Sequence, residues 1–124
     1  MSLLKTTSEL DDSPRTKFLL DFNLAFANGD ADFIIKNVSE DIEWIIYGDK
    51  HISGKEAFIA EINIMKAYKA DELLIHSIIN QNNKAALNGE MKMGDKTYAF
   101  CDFYLFKDSG STLIKQLDSY VLPI

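Results

Sequence analysis

The chain has 124 residues, 47% of them hydrophobic, with 19 acidic against 13 basic side chains and a net charge of -6. That length is one domain, able to bury roughly two thirds of its unfolded surface, and the acidic balance repels phosphate backbones and anionic lipid, which argues against nucleic acid or a membrane as partner. The single cysteine, Cys101, excludes an intramolecular disulfide; the opening MSLLKTTSELDDSP lacks a basic flank and apolar signal run, and no apolar stretch approaches about 20 residues, so a cytoplasmic protein is expected.

Residues 1–12 read as a flexible N-terminal arm or a short extra helical turn, with the folded domain over 13–124. Ser13 before Pro14 is an N-cap with proline at the first helical position. Phe18, Leu19, Phe22, Ala25 and Phe26 then fall on one face of a 3.6-residue period, which turns inward. Gly29 is placed for a left-handed cap and Asp30 follows as the N-cap of a second helix, so the two helices meet at a tight corner. That helix packs on Phe33, Ile34, Ile35 and Val38 and ends in the polar turn Ser39-Glu40-Asp41.

A short strand is expected over Ile42 to Tyr47, with Ile42, Trp44 and Ile46 on one face. Ser53 and Glu56 have capping-box spacing, which starts a third helix near Gly54 or Lys55 with Phe58, Ile62 and Met65 along one stripe. From Glu72 the period changes to two. Four runs, 72–81, 85–93, 97–107 and 112–122, are separated by Asn82-Asn83-Lys84, Gly94-Asp95-Lys96 and Asp108-Ser109-Gly110, which predicts an antiparallel meander. Helices grouped toward the N-terminus and strands after them make an α+β fold.

In this order, AFANGDADFI, SEDIEW, GDKHISGKEAFI and the final FCDFYLFKDSGSTLIKQLDSYV resemble the nuclear transport factor 2-like superfamily, which includes SnoaL-like polyketide cyclases and ketosteroid isomerases. The resemblance covers nearly the whole chain. It implies a cone-shaped roll, with three N-terminal helices packed on a strongly curved, mainly antiparallel sheet around an apolar cavity open at one end. The superfamily holds isomerases, cyclases, hydrolases and proteins without chemistry, so fold alone does not decide function. Of the three isomerase roles, the base falls on Ile46, the oxyanion-hole tyrosine on Phe22 and the protonated aspartic acid on Asp102. Only the last is a residue able to fill its role.

Asp102 is therefore the principal catalytic candidate. It alternates with Tyr98, Phe100, Tyr104 and Phe106, and a carboxyl among such neighbours is desolvated and raised in pKa. The alternative is a carboxyl bonded to a tyrosine or a backbone N–H that only orders the core. Asp118 and Tyr120 share one face of the last strand, and counting from the hairpin puts Tyr120 where the resemblance implies a pocket position, so both are candidate partners of Asp102; the alternative for Asp118 is a solvated rim position.

Phe22, Phe26, Trp44, Ile46, Phe58, Met65, Phe100 and Tyr104 are candidate pocket-lining residues, each equally compatible with plain core packing. His51 lies in the loop 47–53 at the expected pocket rim, and His76 on a strand reads as a core or interface residue. No metal-ligand spacing or nucleotide fingerprint occurs, so no metal and no cofactor are expected.

Two functions fit: a binding module for a small apolar molecule, without turnover, and a SnoaL-like or isomerase-like enzyme using Asp102 for acid–base chemistry on an apolar carbonyl or cyclic substrate. Ala99, Cys101, Phe103 and Leu105, on the face opposite Asp102, make an apolar outer row expected to be covered by a second copy in a homodimer.

Overall fold

Ser13 and Pro14 start the first helix as their chemistry dictates. In the computed structural model, which describes residues 3–7 and 9–124, helix α1 spans Pro14–Asn28 and the Ser13 hydroxyl accepts from the Thr16 N–H at 3.2 Å. Gly29 closes it at φ 72°, its amide reaching the carbonyls of Ala25 and Phe26. A side chain there would also run into the Lys66 carbonyl oxygen, so both the turn and a close approach demand glycine. Asp30 then caps helix α2, Ala31–Lys36, by accepting from the Phe33 N–H at 3.3 Å.

Helix α3, Lys55–Met65, begins where expected but without its capping box. The Ser53 hydroxyl donates instead to Glu43 Oε1 at 2.8 Å, and Gly54 holds the N-cap position at φ 87° with no side-chain bond. Ser53 is paired with Glu43 across two strands, so the N-cap falls one residue later, on Gly54, and the box spacing from Ser53 to Glu56 is out of step with the helix start.

The strands are β1 Leu3–Thr6, β2 Val38–Ile46, β3 Lys50–Ser53, β4 Glu72–Gln81, β5 Lys84–Met93, β6 Lys96–Phe106 and β7 Ile114–Pro123. They form one curved, unclosed sheet in the order β1-β4-β5-β6-β7-β2-β3, so the fold is α+β with three helices. The pairs β1–β4 and β2–β7 are parallel and the other neighbours antiparallel. Curvature has a visible cause in β4, where the register slips between Ile75 and Ser77 beside Gly89. A methyl group on Gly89 would strike the Leu74 carbonyl oxygen, so only glycine lets the strands bend there.

Three expectations are corrected. Part of the N-terminal arm is an edge strand, Leu3 pairing with Glu72 and Thr6 with Ile75; Met1, Ser2 and Ser8 of that arm lie outside the described residues. The strand placed at Ile42 begins at Val38, so Ser39 to Asp41 are strand and not a polar turn, because buried Val38 pairs with Ile114. The loop 47–53 contains β3, whose four residues are too few to carry a period.

Fully buried Leu19, Phe22, Ile34, Phe58 and Ile62 from the helices meet Ile42, Leu73, Ile75, Leu87, Phe106, Ile114 and Leu117 from the strands in one core. The opposite sheet face has no helix over it and leaves Ile79, Phe103, Tyr120 and Leu122 exposed. Among the described residues, no helix is long and apolar enough to cross a membrane.

Candidate functional site

Alternation along β6 turns Phe100, Asp102, Tyr104 and Phe106 toward the helices. Across the sheet Asp102 stands opposite Ser119 of β7, and Ser119 is registered with Ile46 of β2, so these three side chains form one inward row. Tyr104, Leu117 and Trp44 form the next row.

The hydroxyls of Ser119 and Tyr104 lie beside the Asp102 carboxyl and favour its charged form. Each is held in that role by a second donor. The Trp44 indole N–H, which can only donate, reaches Ser119 Oγ at 2.9 Å, so the serine proton is directed onward. Asn23 Nδ2 donates to Tyr104 OH at 2.9 Å and also to the Leu19 carbonyl at 2.9 Å, which fixes the amide and frees the phenol proton for Asp102. The carboxyl thus sits at the junction of two polarised chains, Trp44–Ser119 and Asn23–Tyr104.

Two effects set its proton affinity in opposite directions. Burial among aromatic and aliphatic side chains disfavours the charge, and the two hydroxyls favour it; burial prevails and the Asp102 pKa rises to about 7. Burial and the neighbouring Asp102 hold the Tyr104 phenol well above its ordinary range, so it remains a donor. Cys101 on the other face is also raised, by burial first and by Asp102 second, so its thiol is not activated.

Asp102 remains partly accessible because it looks into a cavity of about 370 Å³ between the sheet, α1 and α3. Phe26, Trp44, Ile46, Met65, Phe100 and Tyr104 of the expected lining border this space. Phe22 and Phe58 do not; both are fully buried behind it, Phe22 against Phe18, Phe26 and Tyr104 and Phe58 against Trp44. Asn23, Met91, Leu117, Ser119 and Val121 line the cavity without having been singled out in the sequence. Asp49 and Glu61 add two more carboxylates; Glu61 pairs with Lys50 at 3.2 Å.

Asp118 and Tyr120 stand on the wrong face for the role expected of them. Phe106 pairs with Ile114 but Leu105 pairs with Gln116, so Lys115 is an extra residue in β7. This bulge exchanges the faces beyond it: Leu117, Ser119 and Val121 point inward, and Gln116, Asp118 and Tyr120 outward. Asp118 accepts from Gln116 Nε2 at 3.0 Å, and Tyr120 stacks on Tyr47 with centroids 4.6 Å apart. His51, also expected at the rim, points to Glu43, with Nε2 2.7 Å from Oε1, and does not border the cavity.

A larger concavity, about 550 Å³, lies on the outer sheet face between His76, Glu90, Cys101 and Leu122. Its histidine is already engaged, Nε2 with Glu90 at 2.8 Å and Nδ1 with Thr7 Oγ1 at 2.8 Å. No converging donors meet a desolvated acid there, so the inner cavity is the better candidate site. Among the described residues, no group of three or more His, Cys, Asp or Glu could hold a metal ion.

No family model matches the sequence, and no curated protein matches it. Solved structures do match. A nuclear transport factor 2-like protein of unknown function from Cytophaga hutchinsonii is 22% identical with a TM-score of 0.67, over 86% of this chain and 97% of that one. A SnoaL-like protein of Shewanella denitrificans is 14% identical with a TM-score of 0.73, over 89% and 92%. An LEH-like epoxide hydrolase of M. tuberculosis is 17% identical with a TM-score of 0.71, over 87% and 82%. The chain has the nuclear transport factor 2-like fold. Isomerases, cyclases and hydrolases share this fold, which leaves the chemistry to the site.

Proposed function

We propose that this protein takes a small, largely apolar molecule into the inner cavity of a cone-shaped roll and exchanges a proton with it through Asp102. One observation carries the reading: a carboxyl with a pKa of about 7 faces a cavity and is held by two oriented hydroxyls. At neutral pH such a group is populated in both forms, which suits a general acid or base acting on a carbonyl-bearing or cyclic substrate. Proton exchange of this kind requires no cofactor. Asp102→Asn keeps shape and hydrogen bonding but removes the proton, and is expected to lower turnover by about 100-fold or more with ligand affinity changed only a few-fold. Unchanged turnover in the variant would remove the catalytic reading.

A second reading, binding without turnover, is favoured by Ile46 and Phe22. By the resemblance these apolar residues fall where a ketosteroid isomerase carries its base and tyrosine, so neither supplies Asp102 with a second acid or base. A ligand that saturates Trp44 fluorescence and is recovered unchanged after long incubation would support this reading.

We also propose a homodimer through the outer sheet face. Exposed Tyr120 touches exposed Tyr47 and Phe103 there, beside exposed Ile79 and Leu122, and together they make an apolar patch that a second copy would cover. Sedimentation is expected to give a dimer at micromolar concentration, and a monomer there would count against it. A reducing cytoplasm suits the single, unactivated thiol.

A further inference from the structure

A second hollow of about 280 Å³ lies under the end of α1, bordered by Ala27, Gly29, Ile62, Tyr68 and Met93. Phe26, Met65 and Met91 border both this hollow and the cavity that holds Asp102. These three side chains lie in the interior yet are only half-buried, because each has empty space on two sides. Two of the three are methionines, unbranched and able to change rotamer at little cost. The partition between the chambers is thus two adaptable thioethers beside one aromatic ring.

The chambers differ in chemistry. The first holds the hydroxyl-flanked Asp102 and the carboxylates Asp49 and Glu61, with no Lys or Arg in its wall. The second carries one charged residue, Lys66, which is exposed, and is otherwise walled by aliphatic, aromatic and thioether groups. Glu61 is paired with Lys50, which leaves Asp49 and the ionised form of Asp102 to repel an anionic head in the first chamber, at a cost that low dielectric enlarges. A neutral hydroxyl can bond to Asp102 in either of its protonation states, and a carbonyl can accept from it when it is protonated.

Building on the proposed binding role of the inner cavity, we infer that the ligand is an unbranched amphiphile with an uncharged hydroxyl or carbonyl head. The head sits beside Asp102, and the tail passes Phe26, Met65 and Met91 into the second chamber. Width matters as well as length: the tail must be narrow enough for two methionines to part around it, which disfavours fused-ring ligands at this end.

The test is a chain-length series of n-alcohols from butanol to decanol, read by the fluorescence of Trp44, the sole tryptophan and a wall residue of the first chamber. Affinity is expected to rise by about fourfold per methylene through the series, as burial of each CH2 requires. The Met93 methyl NMR signal should move with decanol and stay in place with butanol. Met93→Phe, which fills only the second chamber and keeps Trp44 the sole tryptophan, should leave butanol binding unchanged and abolish the gain at the long end; if that variant does not fold, the Met93 signal of the unmodified protein decides alone. Decanoate is expected to bind about tenfold or more weakly than decanol. Butanol binding with no gain from longer chains, or a Met93 signal unmoved by decanol, would overturn the second chamber's role and leave the cavity reading standing. Decanoate binding more tightly than decanol would place a head at Lys66 and reverse the assigned polarity. If no alcohol perturbs Trp44, the cavity reading falls as well.

Discussion

The two halves of α1 serve opposite ends of the molecule. In the first half, Phe18 and Phe22 pack ring against ring with Phe33, Phe106 and Tyr104, and Arg15 ties down the end. Its guanidinium donates to the carbonyls of Asn82, Asp108, Ser109 and Ser111 at 2.6 to 3.3 Å while lying 4.1 Å over the Phe106 ring. In the second half and its cap, Asn23, Phe26, Ala27 and Gly29 border empty space. A hollow at one end of a core this small requires the other end to be filled and pinned, since each void forfeits contacts that must be made elsewhere. The hydrophobic period runs unbroken through both halves, so solid core and cavity wall look alike in sequence.

Arg15 sets the filled end of α1 apart from the hollow end most strongly. Arg15→Ala leaves four turn carbonyls without their shared donor and is expected to cost about 2 to 3 kcal/mol in denaturant unfolding, with Lys recovering little because it lacks the planar fork. Cavity affinity should hardly move. A loss under about 0.5 kcal/mol would mean that the turns are held by their own hydrogen bonds.

Asp102 sharpens the contrast from the open end. Its folded pKa of about 7 stands above the ordinary 3.8, so the native state binds more protons than the unfolded chain between those values. Its contribution is therefore fully present below about pH 4 and is lost as pH rises through about 7. Asp102→Asn should flatten that slope and be more stable than the parent by about 1 to 2 kcal/mol near pH 8, with little difference near pH 4; this is less than full linkage gives, because the carboxyl opens onto the cavity. Melting curves across pH that stay parallel for the two proteins would show that Asp102 is solvated.

The smallest effect is expected at Ser119. Its hydroxyl lowers the Asp102 pKa, so Ser119→Ala should raise that pKa in an NMR titration and cost about 1 kcal/mol through the orphaned Trp44 N–H. An unmoved titration would break the link between the two chains of hydrogen bonds.

Signals confined to a few neighbouring residues were legible in the sequence. Ser13-Pro14, Gly29-Asp30 and the turns at Asn82 and Gly94 each carry their own stereochemistry, and the parity of β6 puts Asp102 with Phe100 and Tyr104 because no bulge interrupts that stretch. Features that need a distant partner were not legible. β1 is a strand only because β4 stands beside it, Ser53 turns from its helix to Glu43, and Asn23 gains its role from Tyr104, 81 residues away. Ser119 was hidden by the extra residue at Lys115, which no local pattern announces.

That one bulge also makes the last strand reversible by length. Deleting Lys115 would turn the eight strand residues after it inside out, carrying Asp118 and Tyr120 into the cavity beside Asp102 and sending Leu117 and Ser119 to the outer face. A lineage could thus exchange a hydroxyl-flanked single carboxyl for a pair of carboxyls by losing one codon, a larger chemical change than any single substitution at the site provides.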